Sequence, residues 1–177
     1  MLFFINVHAN DVGTANVNVL LGQKALDEDD WGQFDKQGEV GVLIDFKLQN
    51  DYVSTAIDLL GSLEEITVSG DKFEGSTGEI DVGVRKIWNV MGSPMRTYIG
   101  GGLAYIQAEL KSINGSFVSD DDDGFGIWLN GGVYWIIGQN INLGIDLRYT
   151  QADVTLFGVE RDAGGNHAGI FVGYHWQ

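Results

Sequence analysis

The sequence contains no cysteine and a single proline in 177 residues. Without thiols, disulfides, thiolate metal sites and thiol catalysis are excluded. Bases are scarce: Lys and Arg total 10 against 25 Asp and Glu, for a formal net charge of -15. Nucleic acid is excluded as a partner on this ground, because phosphate binding needs clustered Lys and Arg. No apolar run reaches the length of about 18 residues that a transmembrane helix requires. That leaves barrels open. Their strands are short, and lipid-facing residues alternate with lumen-facing ones, so mean hydropathy stays near zero; here it is -0.01.

Helical periodicity is nearly absent, and period-two alternation runs almost everywhere. The pattern predicts eight strands, over about 15–23, 39–48, 52–61, 79–88, 97–107, 126–136, 141–150 and 167–176. Each has roughly the 9–11 residues that a tilted strand needs to cross hydrocarbon. The connections 24–38, 62–78, 108–125 and 151–166 are read as long loops. Those at 49–51 and 137–140 are short, and 89–96, which holds Pro94, is intermediate. Bacterial outer-membrane barrels show this rhythm of long extracellular loops and short periplasmic turns. An even strand count puts both ends of the barrel chain on the periplasmic side. Residues 1–9 read MLFFINVHA. They are expected to be a signal-peptide remnant cut after Ala9, or else a frayed N-terminus. Residues 10–177 form one barrel domain.

The alternation assigns faces. Val17, Val19 and Leu21 oppose Asn16 and Asn18. Val40, Val42, Ile44 and Phe46 oppose Glu39, Gly41, Asp45 and Lys47. Ile57 and Leu59 oppose Asp58; Ile80, Val82 and Val84 oppose Glu79, Asp81 and Arg85. Ile141 to Tyr149 oppose Asp146 and Arg148, and Ile170, Val172, Tyr174 and Trp176 oppose His167, Phe171 and His175. Lys86 stands on the apolar face, where a long side chain can reach up to the headgroups. A soluble lipocalin-like ligand-binding barrel would turn the apolar face inward; a membrane barrel turns it outward. Glycines on the polar face (Gly41, Gly83, Gly100, Gly102, Gly132, Gly144, Gly169 and Gly173) suit a narrow eight-stranded lumen. Aromatics at strand ends on the apolar face suit an interfacial belt at the lipid headgroups: Phe46, Trp88, Tyr105, Trp135, Tyr149, Tyr174 and Trp176.

The segments Tyr98-Ile99-Gly100-Gly101-Gly102-Leu103-Ala104-Tyr105, Leu143-Gly144-Ile145-Asp146-Leu147-Arg148-Tyr149 and Gly169-Ile170-Phe171-Val172-Gly173-Tyr174-His175-Trp176 resemble strands of the small OmpA/OmpX-type, opacity-like outer-membrane barrels of the porin family. The resemblance spans Asn10 to Gln177. It implies an all-β, eight-stranded antiparallel up-and-down transmembrane barrel in the outer membrane of a Gram-negative bacterium. It also implies insertion by the outer-membrane assembly machinery, which reads a C-terminal strand ending in an aromatic; here Trp176 is penultimate.

Three groups of residues are candidates for chemistry. The lumen charges Glu39, Asp45, Lys47, Asp58, Glu79, Asp81, Arg85, Asp146 and Arg148 are expected to form an internal salt-bridge network that plugs the barrel. Water, a cation or raised carboxyl pKa values would absorb the excess of acid. The competing reading is a narrow passive channel for ions or small solutes. Acid clusters in the long loops (Asp27, Glu28, Asp29 and Asp30; Glu64 and Glu65; Asp120, Asp121, Asp122 and Asp123) suggest a solvated surface, with Ca²⁺ or Mg²⁺ at 120–123 as the alternative. No catalytic residue is assigned: His167 and His175 have no Ser at a neighbouring same-face position. No enzymatic activity and no resident cofactor are expected. The expected role is structural or surface-interacting, in envelope integrity, adhesion or contact with lipopolysaccharide, by a monomer.

Overall fold

The computed structural model describes residues 12–48, 52–68, 71–112 and 119–176. The expected signal remnant at 1–9 and the short turn at 49–51 lie outside the described residues. In chain order the elements are β1 (Val12–Ala25), α1 (Glu28–Trp31), a 3-10 turn (Gly32–Phe34), β2 (Lys36–Leu48), β3 (Ser54–Val68), β4 (Asp71–Asn89), β5 (Met95–Ser112), β6 (Ser119–Ile137), β7 (Ile141–Leu156), β8 (Val159–Asp162) and β9 (Gly165–Trp176). Each strand pairs antiparallel with the next from β1 to β7, and β7 pairs with β9. β1 pairs with β9 as well, matching Val19 to Val172, and this closes the barrel. Eight strands form the wall; β8 pairs with β7 alone, as the return of a hairpin. The expected fold class is correct.

The expected faces are correct in every strand assigned. Val40, Ile145 and Val172 are 56%, 44% and 54% exposed on the outside, whereas Asp45 and Arg148 are each 4% exposed inside. A lipocalin-like barrel with its apolar face inward is thereby overturned. Burying these Asp and Arg side chains requires partners, and leaving a continuous row of Val, Ile and Leu outside requires lipid. Lys86 behaves as expected of a snorkelling side chain: its Nζ donates to the Tyr52 carbonyl near the short-turn end.

The strand ends differ from expectation. Residues 62–68, 71–78, 108–112, 119–125 and most of 151–166 are not loops. β3 and β4 pair out to Val68 and Asp71, and β5 and β6 pair out to Lys111 and Ser119. β7 runs to Leu156, turns at Phe157-Gly158 (φ 52° and 73°), and returns as β8. Paired positive φ values are those of a type I′ hairpin turn. The wall therefore rises well above the membrane.

The reason the alternation misled is visible along β7. Outward residues run Ile141, Leu143, Ile145, Leu147, Tyr149 and then Gln151, Asp153, Thr155. Inward residues run Asn142, Gly144, Asp146, Arg148, Thr150 and then Ala152, Val154, Leu156. The geometric alternation never slips, but the chemistry of the two faces exchanges at Thr150. Below that level the outside is lipid and the inside is charged. Above it the outside is water and the inside is an apolar core. β5 makes the same exchange, with outward Leu103 and Tyr105 followed by Gln107, Glu109 and Lys111, and inward Ile106 and Ala108 buried.

Candidate functional site

The lumen is filled by two guanidinium groups and the carboxylates around them. Arg148 on β7 donates to Asp58 on β3 and Asp81 on β4, and its Nε stands 3.7 Å from Asp146. Arg85 on β4 donates to Asp58 at 2.7 Å and reaches Asp45 at 3.5 Å. Asp58 is thus shared between both arginines. The guanidinium of Arg148 lies over the Trp128 ring, 5.1 Å from its centre, and that of Arg85 lies 5.2 Å from the Tyr98 ring centre.

A second polar layer lies toward the outer end. Lys24 Nζ donates to Glu79 at 3.2 Å and to the Thr77 hydroxyl at 3.1 Å. The Thr150 hydroxyl donates to Glu79 at 2.7 Å, and His167 Nδ1 lies 2.7 Å from Glu39. Gln37, Ser62 and Thr77 complete a hydrogen-bonded chain across β2, β3 and β4.

Eight of the nine predicted lumen charges are buried together. Lys47 lies apart, half-buried at the short-turn mouth. Sequence reasoning missed Lys24, because 24–38 was read as loop, and did not join His167 to the network. Lys24 supplies a cationic partner, and His167 a ring nitrogen beside Glu39, that the expected set lacked. Neutral donors satisfy more of the acid: the Tyr98 hydroxyl donates to Asp146 at 2.5 Å, Asn130 to Asp146 at 2.8 Å and Asn16 to Asp45 at 2.7 Å. Apolar side chains pack the remaining lumen, with Leu20, Leu43, Leu60, Tyr98, Tyr134 and Phe171 in one cluster. The lumen glycines make room for them. A Cβ on Gly144 would meet both the Phe171 ring and the Tyr134 Cβ at 2.5 Å.

The first long connection folds as a cap over the outer mouth. Asp27 starts α1 by accepting a hydrogen bond from the Asp29 amide at 2.9 Å, and Gly32 ends it at φ 56°. Trp31 is buried against Leu156, Val154, Ala163 and their neighbours. Its indole N–H donates to the Asp162 carbonyl at 2.7 Å, and the Asp162 amide donates back to the Asp30 carboxylate at 2.9 Å. Two reciprocal bonds thereby tie the cap to β8. The signal for the cap was present: an Asp N-cap, an acidic first turn and a glycine just past the end.

The four aspartates at 120–123 lie on β6 and not in a loop. Their side chains alternate, and two of them bridge the strands: Asp122 accepts from the Thr155 amide at 2.5 Å, and Asp120 accepts from the Phe157 amide. They do so where backbone pairing between β6 and β7 has ended, above Gly126 and Ala152. Among the described residues no group of three or more His, Cys, Asp or Glu is arranged to hold a metal ion. The outer bases Lys36, Lys72 and Lys111 are paired with acids, at 3.7 Å to Asp35, 3.5 Å to Glu65 and 3.6 Å to Glu109 respectively. A hydrogen bond to Glu74 holds the Lys111 ammonium above its usual pKa.

The belt aromatics divide between two levels. Phe46, Trp88, Trp135, Tyr174 and Trp176 lie near the short-turn ends of their strands, with the Tyr174 and Trp176 rings 4.5 Å apart. Tyr105 and Tyr149 lie at the level where face chemistry exchanges; Tyr105 packs against Phe125 at 5.2 Å between ring centres.

No family model matches the sequence, and no curated protein matches it. Solved structures do. Neisserial surface protein A is similar at a TM-score of 0.60 and 12% identity, over 92% of this chain and 94% of that one. Ail, the attachment invasion locus protein of Yersinia pestis, in complex with the heparin analogue sucrose octasulfate, gives 0.64 and 13%, over 92% and 98%. The N-terminal β-barrel domain of Pseudomonas aeruginosa OprF gives 0.52 and 17%, over 91% and 97%. A closed eight-stranded wall, an apolar girdle bounded by two aromatic levels and a charge-filled lumen belong to a bacterial outer membrane. The chain is an outer-membrane β-barrel protein with the fold of the small OmpA/OmpX-type barrels.

Proposed function

We propose that this protein is a closed barrel that acts at the cell surface through its acidic outer end, in a structural or partner-binding role, and neither conducts solutes nor catalyses a reaction. The observation that carries this reading is the double obstruction of the lumen. Arg85 and Arg148 with their carboxylates fill the interior, and Trp31 covers the outer mouth. An eight-stranded interior is narrow enough for side chains alone to fill it.

The outer end presents Asp27, Glu28, Asp29 and Asp30 on the cap, Glu64 and Glu65 on β3, and Asp121 and Asp123 on β6. With its lysines already paired, this surface repels polyanions. A sulfated ligand of the kind held by Ail is thus a poor match for it. Cationic polypeptide segments suit it directly, and lipopolysaccharide phosphates suit it through bridging Ca²⁺ or Mg²⁺. Planar-bilayer recording of the refolded protein is expected to give no unitary steps. Steady steps of current would favour the channel reading instead. Calorimetric titration with Ca²⁺ then separates the two surface modes, with heat expected only for the bridged one.

A further inference from the structure

Among the described residues, bases line the short-turn mouth, the opposite of the acids presented at the outer end. A vestibule of about 330 Å³ opens there, lined by Lys47, Lys86, Arg96 and His175 together with Tyr52 and Tyr134. Four strands contribute its bases: β2, β4, β5 and β9. No carboxylate lines it among the described residues; Asp11 and Asp51 lie outside them. In a chain with 25 acids and 10 bases this convergence is unusual. In the lumen, Lys24, Arg85 and Arg148 are all ion-paired, and so are the outer lysines Lys36, Lys72 and Lys111.

The vestibule bases are not ion-paired among the described residues. Lys86 Nζ donates to the Tyr52 carbonyl at 2.5 Å. Arg96 Nη1 donates to the carbonyls of Ser93 and Met95 at 3.4 and 3.2 Å. His175 Nδ1 shares a hydrogen bond of 2.8 Å with the Asn16 side chain. Lys47 makes no hydrogen bond or ion pair with any described residue. The charges of Lys47, Lys86 and Arg96, held around one concavity, repel each other, and an anion placed between them removes that cost. A phosphate group offers several acceptor oxygens to several cationic donors at once, which this spread of Lys and Arg matches. The level is that of lipid headgroups. Lys86 belongs to the lipid-facing row of β4, and the belt residue Trp88 also lines the vestibule.

We propose that the vestibule binds a phosphate group, presented either by a phospholipid headgroup of the periplasmic leaflet or by a free phosphate anion. The refolded barrel in a sugar-headgroup detergent and phosphate-free buffer is titrated with inorganic phosphate and, separately, with dihexanoyl phosphatidylglycerol, followed by calorimetry and ³¹P NMR. Saturable binding is expected, weakened about tenfold in Lys47→Gln and in Arg96→Gln, as befits loss of one charge-assisted contact, and unchanged in Lys36→Gln at the outer end. Binding of both probes supports an open phosphate site. Binding of the lipid alone assigns the headgroup as the source, and binding of inorganic phosphate alone assigns the free anion. No saturable binding of either probe by the wild-type protein overturns the proposal. So does equal binding of acetate, or equal weakening by Lys36→Gln. A heat-modifiable gel shift for each variant separates loss of the site from loss of the fold, and the ³¹P signal of the wild type does not depend on any variant.

Discussion

The lower and upper halves of the barrel wall share one set of strands and one geometric alternation, yet they are inside-out relative to each other. In the lower half, lipid lies outside, and polar groups must find partners within. In the upper half, water lies outside, and apolar groups gather within, as in any soluble core. The crossover falls at Thr150 on β7 and near Tyr105 on β5. The lesson is that a strand's direction and its chemistry are set separately. The pleat decides which residues point in, and the solvent on each side decides what those residues must be.

The largest effect expected is at the centre of the lower half. Arg148→Ala leaves Asp58 and Asp81 without their guanidinium partner in a closed interior. It should destabilise the barrel by about 3–5 kcal/mol, read as a lower midpoint in guanidinium unfolding of the protein refolded into vesicles. An unchanged midpoint would show that the lumen ions are not coupled.

In the upper half the sensitive interior position is apolar. Leu156, which is 0% exposed, should cost about 2–5 kcal/mol when changed to Ala, whereas the lipid-facing Leu147 should cost less. Equal losses in the same unfolding assay would erase the distinction between the halves.

Arginine placed on the outward row tests the exchange directly. Val172→Arg puts a charge against the hydrocarbon and should cost about 2–4 kcal/mol and impair assembly. Gln151→Arg, on the outward row of β7 above the exchange, should fall within about 0.5 kcal/mol of wild type. Normal assembly of Val172→Arg in cells, judged by the heat-modifiable shift in the outer-membrane fraction, would reverse the assignment of faces.

The smallest effect belongs to the aspartates of β6. Asp122→Asn weakens a charge-assisted bond to the Thr155 amide at the water-exposed seam. It should change stability by no more than about 1 kcal/mol, while hydrogen exchange at Thr155 should quicken. Unaltered exchange would show that the carboxylate does not hold the seam.

Much of the lower half was legible in the sequence because lipid imposes a strict alternation there. Val40 against Asp45 and Ile145 against Arg148 could be placed without coordinates. The upper half was misread as loops for the converse reason: once the faces exchange, the apolar residues change parity, and the strand looks finished. β8 escaped notice because four residues after a Phe-Gly turn carry too little pattern. α1 was hidden inside a run of acids that reads equally well as a solvated loop. The lumen network was identified as a set, but its pairings were not. Arg148 and Asp58 stand 90 residues apart, and only barrel closure brings β3, β4 and β7 to the same depth.

By itself, the sequence determined the number of wall strands and the parity of the membrane-spanning residues, because side chains alternate strictly between the two sides of a strand. The outward direction of the apolar face, which the glycines and belt aromatics favoured, was decided by burial, with Val40 exposed and Asp45 enclosed. Tertiary structure alone decided that Lys24 and His167 join the lumen network, that Trp31 packs into the apolar core at the outer end, and that Lys47, Lys86 and Arg96 line one vestibule at the other mouth. Those outcomes depend on register and strand tilt around a closed ring, and neither is encoded in the pattern of any one strand.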